Sequence, residues 1–231
     1  MIKILRYLLV VLFISATINI CAQNATVRNL DFYGMMIGND TDIPRSISAL
    51  EDLGVRTVRL WADVNWSDPK YLSVYNSVKQ YKEAGFNTIL LFSAHNVENK
   101  EDIAPTATNV RSFFEWMRDN APDVFNSIDV FEISNELNLS KYWKYDDPEM
   151  YIQQVLKPAY EVLHASNKKV LGCSFTMWQK TPGLENSDWG YNVKSVQGYL
   201  DKGYLDYCDY AGIHLYPKNM NELKTFMPKL M

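Results

Sequence analysis

Six short apolar runs, each followed by a helical stretch or a long loop, recur from Phe32 onward, and this repeat limits the possible folds more than any other feature of the chain. The runs are Phe32 to Gly38, Val55 to Val64, Asn87 to Ala94, Ile128 to Ser134, Lys169 to Phe175 and Tyr210 to Tyr216. They are continuously apolar rather than alternating, which is the pattern of strands covered on both faces in a parallel sheet. Between them, Pro69 to Ala84 places Tyr71, Val74, Tyr75, Val78 and Tyr81 on one helical face and ends at Gly85, a natural C-cap. A later helix gathers Ile152, Val155, Leu156, Ala159, Val162 and Leu163, and Pro158 is expected to kink it. A β-α-β-α order of this kind requires right-handed crossovers.

Two α/β architectures satisfy that order, a doubly wound nucleotide-binding sheet and a (β/α)8 barrel of the TIM type. No GxGxxG follows the first run, because Gly34 and Gly38 have the wrong spacing and no helix opens there. Arg59, His95, Asn135 with Glu136, and His214 with Tyr216 each fall at or near the C-terminal end of a different strand, the face on which barrel enzymes carry their chemistry. The expected fold is therefore an α/β barrel of the TIM (β/α)8 type. A full barrel takes about 250 residues, so six units make it incomplete, with strands seven and eight absent.

Lys3 and Arg6 precede an apolar run from Tyr7 to Ile14 that fades through Ala16, Ile18 and Ile20, the layout of a secretory signal peptide. Residues 1–22 are read as this leader, cut after Ala22, and residues 23–231 as one barrel domain; lipoprotein processing at Cys21 is the competing reading. The expectation is a secreted or periplasmic protein, with no membrane contact once the leader is removed. Four Asn-x-Ser/Thr sequons stand at Asn24, Asn39, Asn65 and Asn138. The composition is that of an ordinary globular chain, with a net charge of −4 and pI near 5.4 and no basic stripe, which argues against nucleic acid as a partner. Loss of the leader leaves Cys173 and Cys208, which an exported compartment allows to pair and which equally suit two buried thiols. His95, His164 and His214 share no HExxH or CxxC spacing with a second ligand, and no metal or other cofactor is expected.

The stretch Phe131-Glu132-Ile133-Ser134-Asn135-Glu136-Leu137-Asn138 ends a buried strand in an amide and a carboxyl. Here the chain resembles the clan A glycoside hydrolases, retaining (β/α)8 enzymes in which strand four often ends in an aromatic residue, Glu, two further residues and Asn-Glu. Leu137 replaces the proline that frequently follows. Val58-Arg59-Leu60-Trp61 looks like the strand-two arginine of these enzymes, and His95 stands where family 5 members carry a strand-three histidine. Gly212-Ile213-His214-Leu215-Tyr216-Pro217 looks like their strand-six His-x-Tyr. The similarity runs over the whole of residues 23–231 and is closest to families 39 and 5.

The resemblance implies hydrolysis of a β-linked oligosaccharide or polysaccharide. One carboxylic acid protonates the leaving oxygen, and a second carboxylate, about 5–5.5 Å away, attacks the anomeric carbon. Glu136 takes the acid/base role and Asn135 bonds the sugar 2-hydroxyl. Arg59 orients the nucleophile, His214 and Tyr216 complete the hydrogen-bonded wall, and His95 holds a sugar hydroxyl. Arg59 has an alternative as the ion-pair partner of Glu132, which shares the inward parity of Glu136 and lies deeper. Trp61, Trp66, Trp143, Trp178 and Trp189 follow strands on the same face, where flat rings stack on sugars. Trp143 and Trp178 are the expected platforms, and Trp116 is expected to pack in a helix.

In clan A the nucleophile is a Glu ending strand seven, beyond the sixth unit. Glu98 lies after strand three, and Glu115 and Glu161 fall on helices expected to face outward. The 231-residue chain is therefore expected to have little or no glycosidase activity of its own. A carbohydrate-binding barrel without catalysis is the second reading, and proton transfer by Glu136 in another barrel chemistry is the third. Open strands at either edge of a six-stranded sheet invite self-association or a partner chain.

Overall fold

The computed structural model describes residues 34–37, 42–66, 75–93, 105–139, 142–143, 145, 147–176 and 196–214. The expected leader, residues 1–22, lies outside these, as do Tyr71, Val74 and Glu98. The strands are β1 Gly34–Met36, β2 Thr57–Asp63, β3 Asn87–Ser93, β4 Val130–Ile133, β5 Lys169–Thr176 and β6 Tyr210–His214. The helices are α1 Ile43–Asp52, α2 Tyr75–Glu83, α3 Ala107–Asn120, α4 Pro122–Asn126, α5 Pro148–Tyr151, α6 Lys157–Ala165 and α7 Val196–Asp201. A 3-10 turn, Tyr204–Tyr207, leads into β6.

All six strands are parallel and lie in the order β1-β2-β3-β4-β5-β6. Strictly sequential order is the connectivity of a (β/α) barrel, whereas a doubly wound sheet reverses direction midway. The fold is thus the α/β barrel type read from the sequence, with six of its strands among the described residues. Alternation along β2 sorts the side chains: Val58, Leu60 and Ala62 are buried beneath the helices, while Arg59, Trp61 and Asp63 share the opposite, inward face. The β2–β3 and β3–β4 registers set Trp61 beside Leu91 and Leu91 beside Glu132, so the inward rows continue across the sheet.

The helix-side layer is dominated by aromatic rings. Phe92 and Phe131 stack at 5.5 Å between centroids, and Phe113, Phe114 and Trp66 pack edge-on or tilted against them and each other. Such pairs add about 0.5–1.5 kcal/mol each beyond the area they bury. On α2, Val78 and Tyr81 face this core as expected, and Gly85, at φ 89°, ends the helix in a left-handed conformation. Trp116 packs partly buried against the core, and Glu161 pairs with Arg111 on the outer surface of α3 and α6.

Pro158 does not break its helix. The chain runs from α5 into one π-helical segment, Ile152–Leu156, and on into α6, with the Lys157 N–H donating to the Ile152 carbonyl. Proline at 158 has no N–H and its ring crowds the carbonyl four residues back. The wider π turn supplies the extra residue that relieves this, and Pro158 sits in the first turn of α6, where its missing donor is harmless.

Two aspartates fasten the strand entries at the end opposite the site. Asp129, just before β4, accepts from the Thr88 N–H at 2.9 Å and returns its own N–H to the Thr88 carbonyl at 3.1 Å. Asp209, just before β6, does the same to Val170, at 2.9 Å and 2.8 Å. Lys82 and Lys169 neutralise the two carboxylates. Cys173 and Cys208 are free thiols; burial raises both, Cys208 up to about 11, so both stay protonated near neutral pH.

Candidate active site

The end of β4 is shaped by two left-handed residues. Ser134 has φ 72° and Glu136 φ 41°, neither is glycine, and they bracket Asn135. Each such residue costs on the order of 1 kcal/mol or more and persists only where surrounding bonds enforce it. Here the Ser134 N–H donates to the Phe92 carbonyl and the Glu136 N–H to the Ser174 carbonyl, both at 2.8 Å. The turn swings Asn135 and Glu136 to the C-terminal mouth of the sheet, where they are 3% and 4% exposed.

Beneath them lies a buried charge network. Glu132 is fully buried and accepts two bonds from Arg59, from Nε at 2.6 Å and Nη2 at 3.0 Å, plus one from Ser174 Oγ at 2.7 Å. Arg59 Nη2 also donates to Asn135 Oδ1 at 3.1 Å. A forked guanidinium fits this pattern as a lysine ammonium does not. The ion pair expected as the alternative for Arg59 is therefore present, and the same arginine also fixes the Asn135 amide. Gly212 on β6 lets the Ser174 side chain sit there, since a Cβ at that position would come within 2.1 Å of Ser174 Oγ.

His214, at the end of β6, places Nδ1 2.8 Å from Glu136 Oε1. Tyr142 lies in the loop after β4, and burial together with the nearby Glu136 carboxylate raises its phenol above the ordinary range. The Trp61 ring lies 6.0 Å from Tyr142, tilted by 49°, and its Nε1 donates to Asp63 Oδ1 at 2.8 Å.

Four of the residues expected at the site, Arg59, Asn135, Glu136 and His214, thus meet in one cluster. His95, Tyr216, Trp178 and Trp189 lie outside the described residues. Trp143 is a correction. Its indole is only 7% exposed, packs edge-on against Tyr145 and Tyr151, and donates to the Asp147 carbonyl at 3.3 Å, so it anchors the loop instead of offering a face to a sugar. Trp66 is likewise core. The sequon at Asn138 is also closed to modification, because that buried amide donates to the Thr176 carbonyl at 2.7 Å and accepts from the Thr176 N–H at 3.0 Å. Ser174 and Tyr142 were missed from sequence. Ser174 carries a weak signal, a hydroxyl inside an apolar strand; Tyr142 carries none that separates it from other loop tyrosines.

No protein-family model and no curated protein matches the chain. Among solved structures, the catalytic domain of a mannanase from Streptomyces sp. SirexAA-E is similar over 60% of this chain and 44% of its own, at 16% identity and a TM-score of 0.42. The AHE enzyme from Alicyclobacillus herbarius is similar over 64% of this chain and 40% of its own, at 11% identity and 0.42. The Pseudomonas stutzeri endoglucanase Cel5A is similar over 73% and 75%, at 12% identity and 0.25. The matched region spans less than half the length of the first two.

Proposed function

We propose that this is an exported carbohydrate-active protein of the retaining glycoside hydrolase type, acting on a β-linked oligosaccharide or polysaccharide with Glu136 as acid/base. The observation that carries the reading is the strained turn at the end of β4. It holds Glu136 against His214 and sets beside it an amide whose oxygen is occupied by Arg59. Occupying that oxygen fixes the Asn135 orientation, with Nδ2 as the remaining donor group, the polarity needed to bond a sugar hydroxyl oxygen. In this reading His95, Tyr216 and Trp178 complete the sugar site.

Hydrolysis with retention needs a second carboxylate. Glu132 is buried under Arg59 and Ser174, and Asp63 holds the Trp61 indole. The nucleophile in this reading comes from outside the described residues, and sugar binding without cleavage is the second reading that this arrangement favours.

Both are tested with the full chain and aryl β-glucosides and β-mannosides. Turnover that falls about 10²–10⁴-fold in Glu136→Gln supports the acid/base assignment. Binding of cellopentaose or mannopentaose by calorimetry with no turnover supports the second reading. A chain that neither binds nor cleaves any of these sugars would overturn both.

The exposed apolar side chains on the two edge strands, Met35 and Met36 on β1 and Tyr210 and Ile213 on β6, support self-association or a partner chain. Sedimentation velocity is expected to show concentration-dependent dimers or larger species. A compact monomer across the whole concentration range would contradict it.

A further inference from the structure

We propose that Trp61 and Tyr142 form a sugar-binding subsite next to Glu136, taking the pyranose ring adjacent to the one whose linkage Glu136 protonates; this rests on the carbohydrate reading above. The two rings come from separate elements. Trp61 is on the inward face of β2, in the same row as Arg59, and Tyr142 is in the loop after β4. Both are half-buried, unlike Trp66 and Trp143, whose rings are enclosed by other aromatic side chains.

Each ring is held in place before any ligand arrives, Trp61 by a polar bond at its edge and Tyr142 by the backbone turn beneath it. The Trp61 indole N–H is tied to Asp63, and Asp63 is itself exposed at the rim. Tyr142 packs against the Trp61 ring at 6.0 Å between centroids. The backbone under Tyr142 is a closed turn, with the N–H groups of Tyr142 and Trp143 donating to the Leu139 carbonyl at 3.0 and 3.1 Å. The buried Trp143 pins that turn to the core, so its burial is what presents its neighbour.

A pyranose has an apolar face of C–H groups and a rim of hydroxyls. A pair of fixed aromatic rings bordered by one carboxylate, Asp63, and one amide, Asn135, matches both features. Preset rings also avoid ordering flexible side chains on binding. A β-linked hexopyranose chain running from Glu136 across these rings is the ligand this surface fits.

The test is calorimetric titration of the full chain with cellopentaose and mannopentaose. Trp61→Ala is expected to weaken binding roughly tenfold and Trp61→Phe by less, with far-UV circular dichroism unchanged. Fluorine NMR of the wild-type chain labelled with 5-fluorotryptophan gives a readout that does not depend on a truncated variant folding. The Trp61 resonance, assigned through Trp61→Phe, is expected to shift on addition of the sugar that binds. A wild-type chain that binds while Trp61→Ala binds equally well and the Trp61 resonance stays in place would remove the subsite and leave the carbohydrate reading standing. A wild-type chain that binds neither pentasaccharide would remove both.

Discussion

Glu132→Ala is expected to destabilise the fold by about 3–5 kcal/mol, the range for breaking a buried ion pair from one side. Glu132 has no solvent exposure, while the Arg59 side chain keeps 16% of its own, so truncation strands a guanidinium whose Nε loses its partner and whose Nη2 keeps only Asn135 Oδ1. The Ser174 hydroxyl loses its acceptor at the same time. Double replacement by apolar residues of similar volume, Glu132→Leu with Arg59→Met, is expected to recover most of the loss. It removes the stranded charge that the single change leaves. Urea unfolding followed by tryptophan fluorescence measures both. A single variant within about 1 kcal/mol of wild type, as for a surface pair, would show that this network does not hold the site.

The network also explains why the floor of the candidate site was legible and its walls were not. Arg59 and Glu132 declare themselves in sequence as charged residues within apolar strands, and Glu136 as a carboxyl two residues past the run Ile128 to Ser134. Six strands in sequential parallel order follow from the same runs. The ends of the strands were less certain because they depend on local geometry. The run Ile128 to Ser134 shrinks to Val130–Ile133: Ile128 belongs to the turn after α4, and Ser134 turns left-handed. Leu137 to Asp147 has no period of two or of 3.6. Nothing in that stretch of sequence separates the buried Trp143 from the half-buried Tyr142. The aspartates at 129 and 209 carry no signal of their role in the sequence. Each stands directly before a strand, and what they share, a two-way clasp on the preceding strand, emerges only when the sheet is assembled.

Gly172→Ala is expected to cost about 2–5 kcal/mol, although it adds a single methyl group. That methyl would lie 2.0 Å from Tyr204 Oη, 2.4 Å from its Cζ and 2.9 Å from its Cε2. The ring has little room to withdraw. It is fully buried, packs against Phe175 at 5.3 Å, and donates its hydroxyl to the Cys173 carbonyl at 2.8 Å. Displacing it loses that bond in a region where water does not replace it, and burial holds the phenol protonated, so ionisation offers no route to solvation. Tyr204→Phe in the Gly172→Ala background removes the oxygen contact but leaves the Cζ contact, and is expected to restore only part of the loss. Tyr204→Leu removes both contacts and is expected to bring the denaturation midpoint of the Gly172→Ala chain closer to that of Tyr204→Leu alone. If Gly172→Ala carried the same penalty in the wild-type and Tyr204→Leu backgrounds, the effect would lie in backbone flexibility at position 172 and not in the steric fit between β5 and the turn before β6.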